Sequence, residues 1–182
     1  DITEEMYKKI VDNRSIKEAD AHKTAQMVAL AAIKYGDLSN QAAKDYIFDT
    51  ERFTSFEGDT GPYILYTIVR IKSILNRYTE NGGDTAAGKI LAPAGESEKA
   101  LMLALTDFNA TVENAFAEQA QHKICSYIYD LANAFNHFYH ETKILSEEDQ
   151  AQKESFLKLL GLTKSILETS IDLLGFSAPD RM

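Results

Sequence analysis

The chain has no tryptophan, one cysteine, three prolines and fewer positive than negative charges in its 182 residues. A single cysteine, Cys125, excludes an internal disulfide and suits a reducing compartment, with the cytosol as the default. No run approaches the roughly 20 apolar residues of a membrane-spanning helix. The opening, DITEEMYKKI, lacks the basic and apolar regions of a secretory signal. It also lacks an initial methionine, so the chain is expected to be processed or a fragment of a longer one. Lys and Arg number 19 against 28 Asp and Glu, for a net charge of −9. That balance argues against a nucleic-acid binder, because phosphate neutralisation dominates such affinity. A local basic patch still suffices where the acidic residues are segregated elsewhere.

Catalytic signatures are equally scarce. There is no GxSxG, HExxH, paired-cysteine or GxGxxG pattern. Gly83 to Lys89 spells GxxxxGK, but Ile90 stands where a phosphate-binding loop needs Ser or Thr for magnesium, and no strand precedes it. A surface loop is the expectation. His137 and His140, with His122 upstream, raise a metal-dependent helical enzyme as one alternative. No carboxylate or third ligand shares their face at the required spacing, so edge histidines are expected and no metal is assigned. Cys125 has no base partner in the sequence and reads as a small buried hydrophobe. No catalytic residue is assigned.

What is present is helix. With 45% apolar and 26% charged residues, the composition is that of a soluble globular protein. IKEADAHKTAQMVALAAIKYG is rich in helix formers and is expected to end at Gly36 as a C-cap. The stretch from Asp37 to Asp59 has weaker periodicity and suits short helical turns or an extended segment. A helix then begins near Thr60, with Asp59 and Thr60 as caps, Pro62 in the first turn, and Ile64, Ile68, Ile71 and Leu75 as a buried stripe. TENGGDTAAGKILAPAGES reads as a long flexible loop. Three more helices follow: EKALMLALTDFNATVENAFA; QHKICSYIYDLANAFNHFYHE, with Ile124, Ile128, Leu131, Phe135 and Phe138 inward; and one opening at a Ser146/Asp149 capping box and running to Gly175. The expected fold is all-α, a four-helix bundle with an N-terminal helical extension.

One face invites a function. Tyr63, Tyr66, Arg70 and Arg77 fall within roughly 60° of one another on the helix after Thr60, and the apolar stripe points about 100° away from Tyr63. No acidic residue lies between Gly61 and Tyr78, whereas Arg70, Lys72 and Arg77 do. Rings beside cations can stack on splayed-out bases and hold a phosphate, as single-stranded RNA loops are read. Tyrosines also rim cores with their hydroxyls in water, and tyrosine and arginine are common in protein interfaces. A helical module for protein partners, without RNA, is therefore the other alternative.

The string IKYGDLSNQAAKDYIFDTERFTSFEGDTGPYILYTIVRI resembles the junction between the catalytic and anticodon-binding regions of arginyl-tRNA synthetases. IYDLANAFNHFYH and the terminal LLGFSAPDRM resemble that family's anticodon-binding helices and tail. The likeness covers the whole chain, most securely Ile33 to Ile71 and Ile124 to Met182. It implies a DALR-type helical anticodon-binding domain at 61–182, joined by 1–60 to the end of the catalytic region. The parent enzymes attach arginine to tRNA using ATP and magnesium, at signatures not found here, so this portion is expected to bind without catalysing and to need no cofactor. The implied partner is the anticodon loop of an arginine tRNA, not DNA or a membrane, and a full-length parent would be a cytoplasmic monomer. Carried over by position, the tRNA contacts are Tyr63 and Tyr66 of GPYxxY, Arg70 on the same face, Tyr139 of the Phe138-Tyr139 pair, and Met182; Arg77 joins them as a nearby cation. Asp59 stands where the family more often has Asn, and Thr67 to Val69 lack the family's histidine, so contacts through that histidine are lost.

Overall fold

In the computed structural model, residues 2–12 and 18–182 are described; the expected start of the alanine-rich helix at Ile16 lies outside them. Eight α-helices follow in order: α1 (Ile2–Asp12), α2 (Glu18–Leu38), α3 (Thr50–Phe53), α4 (Gly61–Glu80), α5 (Glu96–Thr106), α6 (Phe108–Glu118), α7 (His122–Glu141) and α8 (Gln150–Leu173). A 3-10 turn at Ile144–Ser146 links the last two. No strand occurs among the described residues. The architecture is the expected helical bundle: α4, α7 and α8 pack together, α5 and α6 lie on α7, and α2 joins α4 to α1.

The core follows the apolar stripes. Ile64, Ile68 and Ile71 of α4 are fully buried, and Leu75 is half-buried at its rim. Ile124, Ile128, Leu131, Phe135 and Phe138 of α7 share one buried core with Phe156, Leu160, Leu167 and Ile171 of α8, Phe138 lying edge-on to Phe156. At about 25 cal/mol per Å², each such side chain contributes roughly 1.5–3 kcal/mol. α2 buries alanines (Ala21, Ala25, Ala31, Ala32), which lets neighbouring backbones come close.

Helix ends correct four expectations. Thr60 is the cap of α4, its Oγ1 accepting from the Tyr63 amide at 3.2 Å and donating to the Ser55 carbonyl at 2.7 Å. Asp59 does not share that task. Its carboxylate, 2.5 Å from the Tyr35 hydroxyl, shares that group's single proton with the Cys125 carbonyl at 2.9 Å. Burial, then the bond to Asp59, drives the Tyr35 phenol far above its ordinary value, so it stays a donor. Gly36 is not a C-cap: α2 runs two residues past it, and the missing side chain makes room for the Phe53 ring, 2.9 Å from where a Cβ would sit. Asp149, not Ser146, caps α8, accepting from the Gln152 amide at 2.9 Å, while Ser146 closes the 3-10 turn. The sequence EKALMLALTDFNATVENAFA forms two helices instead of one, parted at Asp107, where the Thr106 hydroxyl turns back on the Leu103 carbonyl.

The long segment after α4 has neither helix nor strand until α5. It is pinned to α8 where the Leu91 amide donates to Ser155 Oγ at 2.9 Å. The GxxxxGK run lies within it, seven residues short of α5, and so has no helix N-terminus to cradle a phosphate. At the far end, α8 stops in a Schellman motif: Gly175, with φ +80°, donates to the Asp172 carbonyl and Phe176 to the Ile171 carbonyl. Phe176 is buried, and the chain turns back across α4.

Candidate nucleic-acid interface

Two helices build the site. α4 supplies Tyr66 and, one turn on, Arg70; α7 supplies Tyr139 near its last turn. The Arg70 guanidinium carbon lies 4.7 Å from the centre of the Tyr66 ring and 5.1 Å from that of Tyr139. Each contact is a cation–π pair worth roughly 0.5–1 kcal/mol at this exposure. Tyr66 is 41% exposed and Tyr139 36%. Both phenols thus keep free surface beside one cation.

Beneath them lies an amide. Asn136 Oδ1 accepts from Arg70 Nη1 at 2.5 Å, and its Nδ2 donates to Tyr63 Oη at 2.9 Å and Thr67 Oγ1 at 3.2 Å. The Tyr63 hydroxyl in turn donates to Asn133 Oδ1 at 2.7 Å. Asn136 is 9% exposed, so both ends of its amide are satisfied inside the protein. Tyr63 is half-buried, its ring edge-on to Tyr129. The guanidinium is held by a neutral acceptor rather than a carboxylate, so its positive charge is oriented without being cancelled.

This cluster borders two hollows. The larger is a groove of about 790 Å³, lined among others by Tyr66, Arg70, Arg77, Tyr139, Lys143 and Met182, with Ile74 and Leu145 as apolar wall. The smaller, about 490 Å³, is lined by Phe56, Glu57, Tyr63 and His140, again with Tyr66 and Arg70. Among the described residues, Arg77 and Lys143 have no ion pair or hydrogen bond through their side chains and stand as free cations on the groove. Five of the six candidate residues therefore meet at one groove; Tyr63 lies behind it, against the second hollow. Lys72 does not join them. It faces α8 and the chain end, 3.2 Å from Glu168 and 3.3 Å from Asp180.

The other candidates separate. His122 opens α7 and lies 15 residues before His137 (137 − 122), about 22 Å along the helix. Against expectation a carboxylate does share the face of His137, whose Nε2 sits 3.6 Å from Glu141 four residues on, but His140 packs edge-on against Tyr139 and no third ligand joins the pair among the described residues. Burial, followed by the nearby Asp59 charge, pushes the Cys125 thiol up to about 12, which leaves it unable to act as a nucleophile at neutral pH.

Asn136, Asn133 and Lys143 were not singled out by sequence reasoning. One signal for Asn136 was available: an amide at a position of α7 where the periodicity calls for an apolar residue. Lys143 carried no signal, because its place on the groove depends on the turn after α7.

Comparison with known proteins gives a consistent set. The family model described as the DALR anticodon binding domain matches residues 64–182. An arginine–tRNA ligase of Agathobacter rectalis is 63% identical over 190 residues, covering 100% of this chain and 32% of that protein. One of Alkaliphilus oremlandii is 51% identical, covering 100% of this chain and 31% of that protein. Among solved structures, arginyl-tRNA synthetase of Thermus thermophilus superposes with a TM-score of 0.88 at 33% identity, over 100% of this chain and 32% of that one. The Plasmodium falciparum enzyme gives 0.85 at 27% identity, over 99% and 32%. The chain thus spans about a third of the length of the curated relatives it matches.

Proposed function

We propose a function that proceeds from one fact: the chain belongs to the DALR anticodon-binding domain family. In this reading it grips the anticodon loop of an arginine tRNA, as the C-terminal part of an arginine–tRNA ligase whose catalytic region supplies the ATP and magnesium chemistry. Residues 61–182 form the binding domain and 1–60 connect it to that region. The full-length enzyme is a cytoplasmic monomer; no helix among the described residues is long and apolar enough to cross a membrane.

The observation that carries the reading is the meeting of Tyr66, Arg70 and Tyr139 on one groove with Arg77 and Met182. Every arginine codon has guanine in its middle position, so every arginine anticodon has cytosine there. A fixed base calls for donors to its O2 and N3, an acceptor for its amine and a stacking ring. Arg70, already oriented by Asn136, supplies donors; Tyr66 or Tyr139 supplies the ring; Arg77 neutralises a flanking phosphate. Tyr63, with its hydroxyl committed to Asn133 and Asn136, presents ring surface at the second hollow.

The test is titration of the 182-residue chain with an unmodified arginine anticodon stem-loop and with the same loop carrying guanine in the middle. Saturable binding that the guanine abolishes is expected. Indifference to RNA would transfer the face to a protein partner, and equal affinity for random RNA would remove the specificity.

A further inference from the structure

Lys72 is the one cation of α4 turned away from the groove, and its side chain is only 15% exposed. Its Nζ lies within reach of four acceptors: the carbonyls of Ala178 at 3.4 Å and Pro179 at 3.2 Å, the Asp180 carboxylate at 3.3 Å and the Glu168 carboxylate at 3.2 Å. Lys164 holds Glu168 from the other side at 3.7 Å. An ammonium has three protons, so these acceptors use its whole donor capacity. Two carboxylates cancel its charge. Lys72 is therefore unsuited to holding a phosphate.

What it holds is the chain end. Past Phe176, residues 177–182 belong to no helix and make no backbone–backbone hydrogen bond among the described residues. They are fixed by the buried Pro179, the half-buried Ala178 and the Lys72 contacts. Two residues beyond Asp180, Met182 forms part of the groove wall alongside Tyr66, Arg70 and Tyr139.

We propose that Lys72 is a positioning residue for RNA recognition: it clamps residues 178–180 so that Met182 completes the groove, and it acts on the loop only through that side chain. This rests on the reading of the groove as the anticodon site. It explains why a cation on the recognition helix is turned inward, and why a segment without secondary structure returns to the same helix.

The test uses two readouts on the same 182-residue chain. The chain has four methionines, so the Met182 methyl resonance can be assigned by substitution and followed without RNA. Lys72→Met is expected to move that resonance to the position of a free chain and to weaken the cognate stem-loop about tenfold. Met182→Ala is expected to cost about the same, and the double variant no more than either, because the two act on one contact. Lys72→Arg, which keeps charge and donors, is expected to retain both signals. An unmoved methyl resonance in Lys72→Met overturns the clamp. A released tail with unchanged affinity overturns its part in recognition while the anticodon reading stands. A wild-type chain that ignores the loop overturns that reading and the positioning with it. Additive losses in the double variant also overturn the proposal, since Lys72 would then act on RNA independently of Met182.

Discussion

Tyr63 and Tyr66 stand three residues apart on α4, yet their surroundings assign them opposite sensitivities. Among the described residues the Tyr66 hydroxyl has no hydrogen-bond partner, whereas Tyr63 both donates to Asn133 and accepts from Asn136. Tyr66→Ala is expected to weaken loop binding by about 1–3 kcal/mol, the usual worth of base–aromatic stacking, beyond the roughly 0.5–1 kcal/mol that the fold loses with its cation–π contact to Arg70. Tyr63→Phe is expected to lower folding stability by about 1 kcal/mol, because the buried Asn136 amide loses an acceptor, and to leave loop binding within about 0.5 kcal/mol of the parent. Paired RNA titrations and urea melts check both; an equal loss of loop binding in the two variants would refute the distinction. Cys125 supports a separate expectation. Its thiol is raised from 9.0 to about 12 in the fold, so above about pH 9 the unfolded chain loses this proton while the folded one keeps it. Stability is then complete below that point and falls by up to about 1.4 kcal/mol per pH unit as pH climbs toward 12. In urea melts across this range, Cys125→Ala should delay the fall until Tyr35 begins to ionise in the unfolded chain, near pH 10. In the exposed half of the site, Tyr66 and Arg70 were legible because helical spacing alone brings them together, whereas Tyr139 came only from the family resemblance. Asn136 was not, since its partners lie 66 to 73 residues away and only tertiary packing introduces them.

Elements were legible where one period dominated. In α4, α7 and α8 a sustained apolar stripe matched the buried face, because each packs one side against a common core. Sequence reasoning failed where two local signals competed. Through Leu101 to Ala115 the apolar period continues, but the Thr106 hydroxyl bonds back to the Leu103 carbonyl, and α5 stops there. Gly36 carried the composition of a cap, yet its absent Cβ admits a ring from α3. The start of α4 makes the sharpest demand. A Cβ on Gly61 would fall 2.3 Å from the Ala31 carbonyl oxygen of α2, a contact with backbone that cannot rotate aside. Gly61→Ala is therefore expected to destabilise the fold by about 2 kcal/mol or more, as overpacking does. Thr60→Ala, which removes the cap and the hydroxyl's bond to the Ser55 carbonyl, should cost about 1–2 kcal/mol. Thermal melts of the two variants give the order, and a milder effect at Gly61 than at Thr60 would mean the helices can part.

At the scale of the molecule, a net charge of −9 opposes the proposed RNA partner, while Arg77 and Lys143 stand on the groove without carboxylate partners among the described residues. Two phosphates neutralised on a single-stranded loop predict a slope of about −1.4 for log affinity against log salt, or roughly sevenfold weakening between 50 and 200 mM. Anisotropy titrations should return that slope, and Arg77→Met should roughly halve it; a slope near zero would exclude phosphate contact. The overall all-α bundle was legible because it needs only the count and length of periodic segments. The facing of Lys72 was not, since only the return of the chain end over α4 decides it. The glycine crossing has a mechanical consequence. With main chains of α2 and α4 touching at Ala31 and Gly61, and Tyr35 bonded across to Asp59, the pair is expected to turn together as a welded crank, since no side chain cushions that crossing. From Ala31 back to Glu18 the arm measures about 20 Å, so a tilt of only about 5° imposed on the tyrosine helix sweeps the far tip through roughly 1.7 Å.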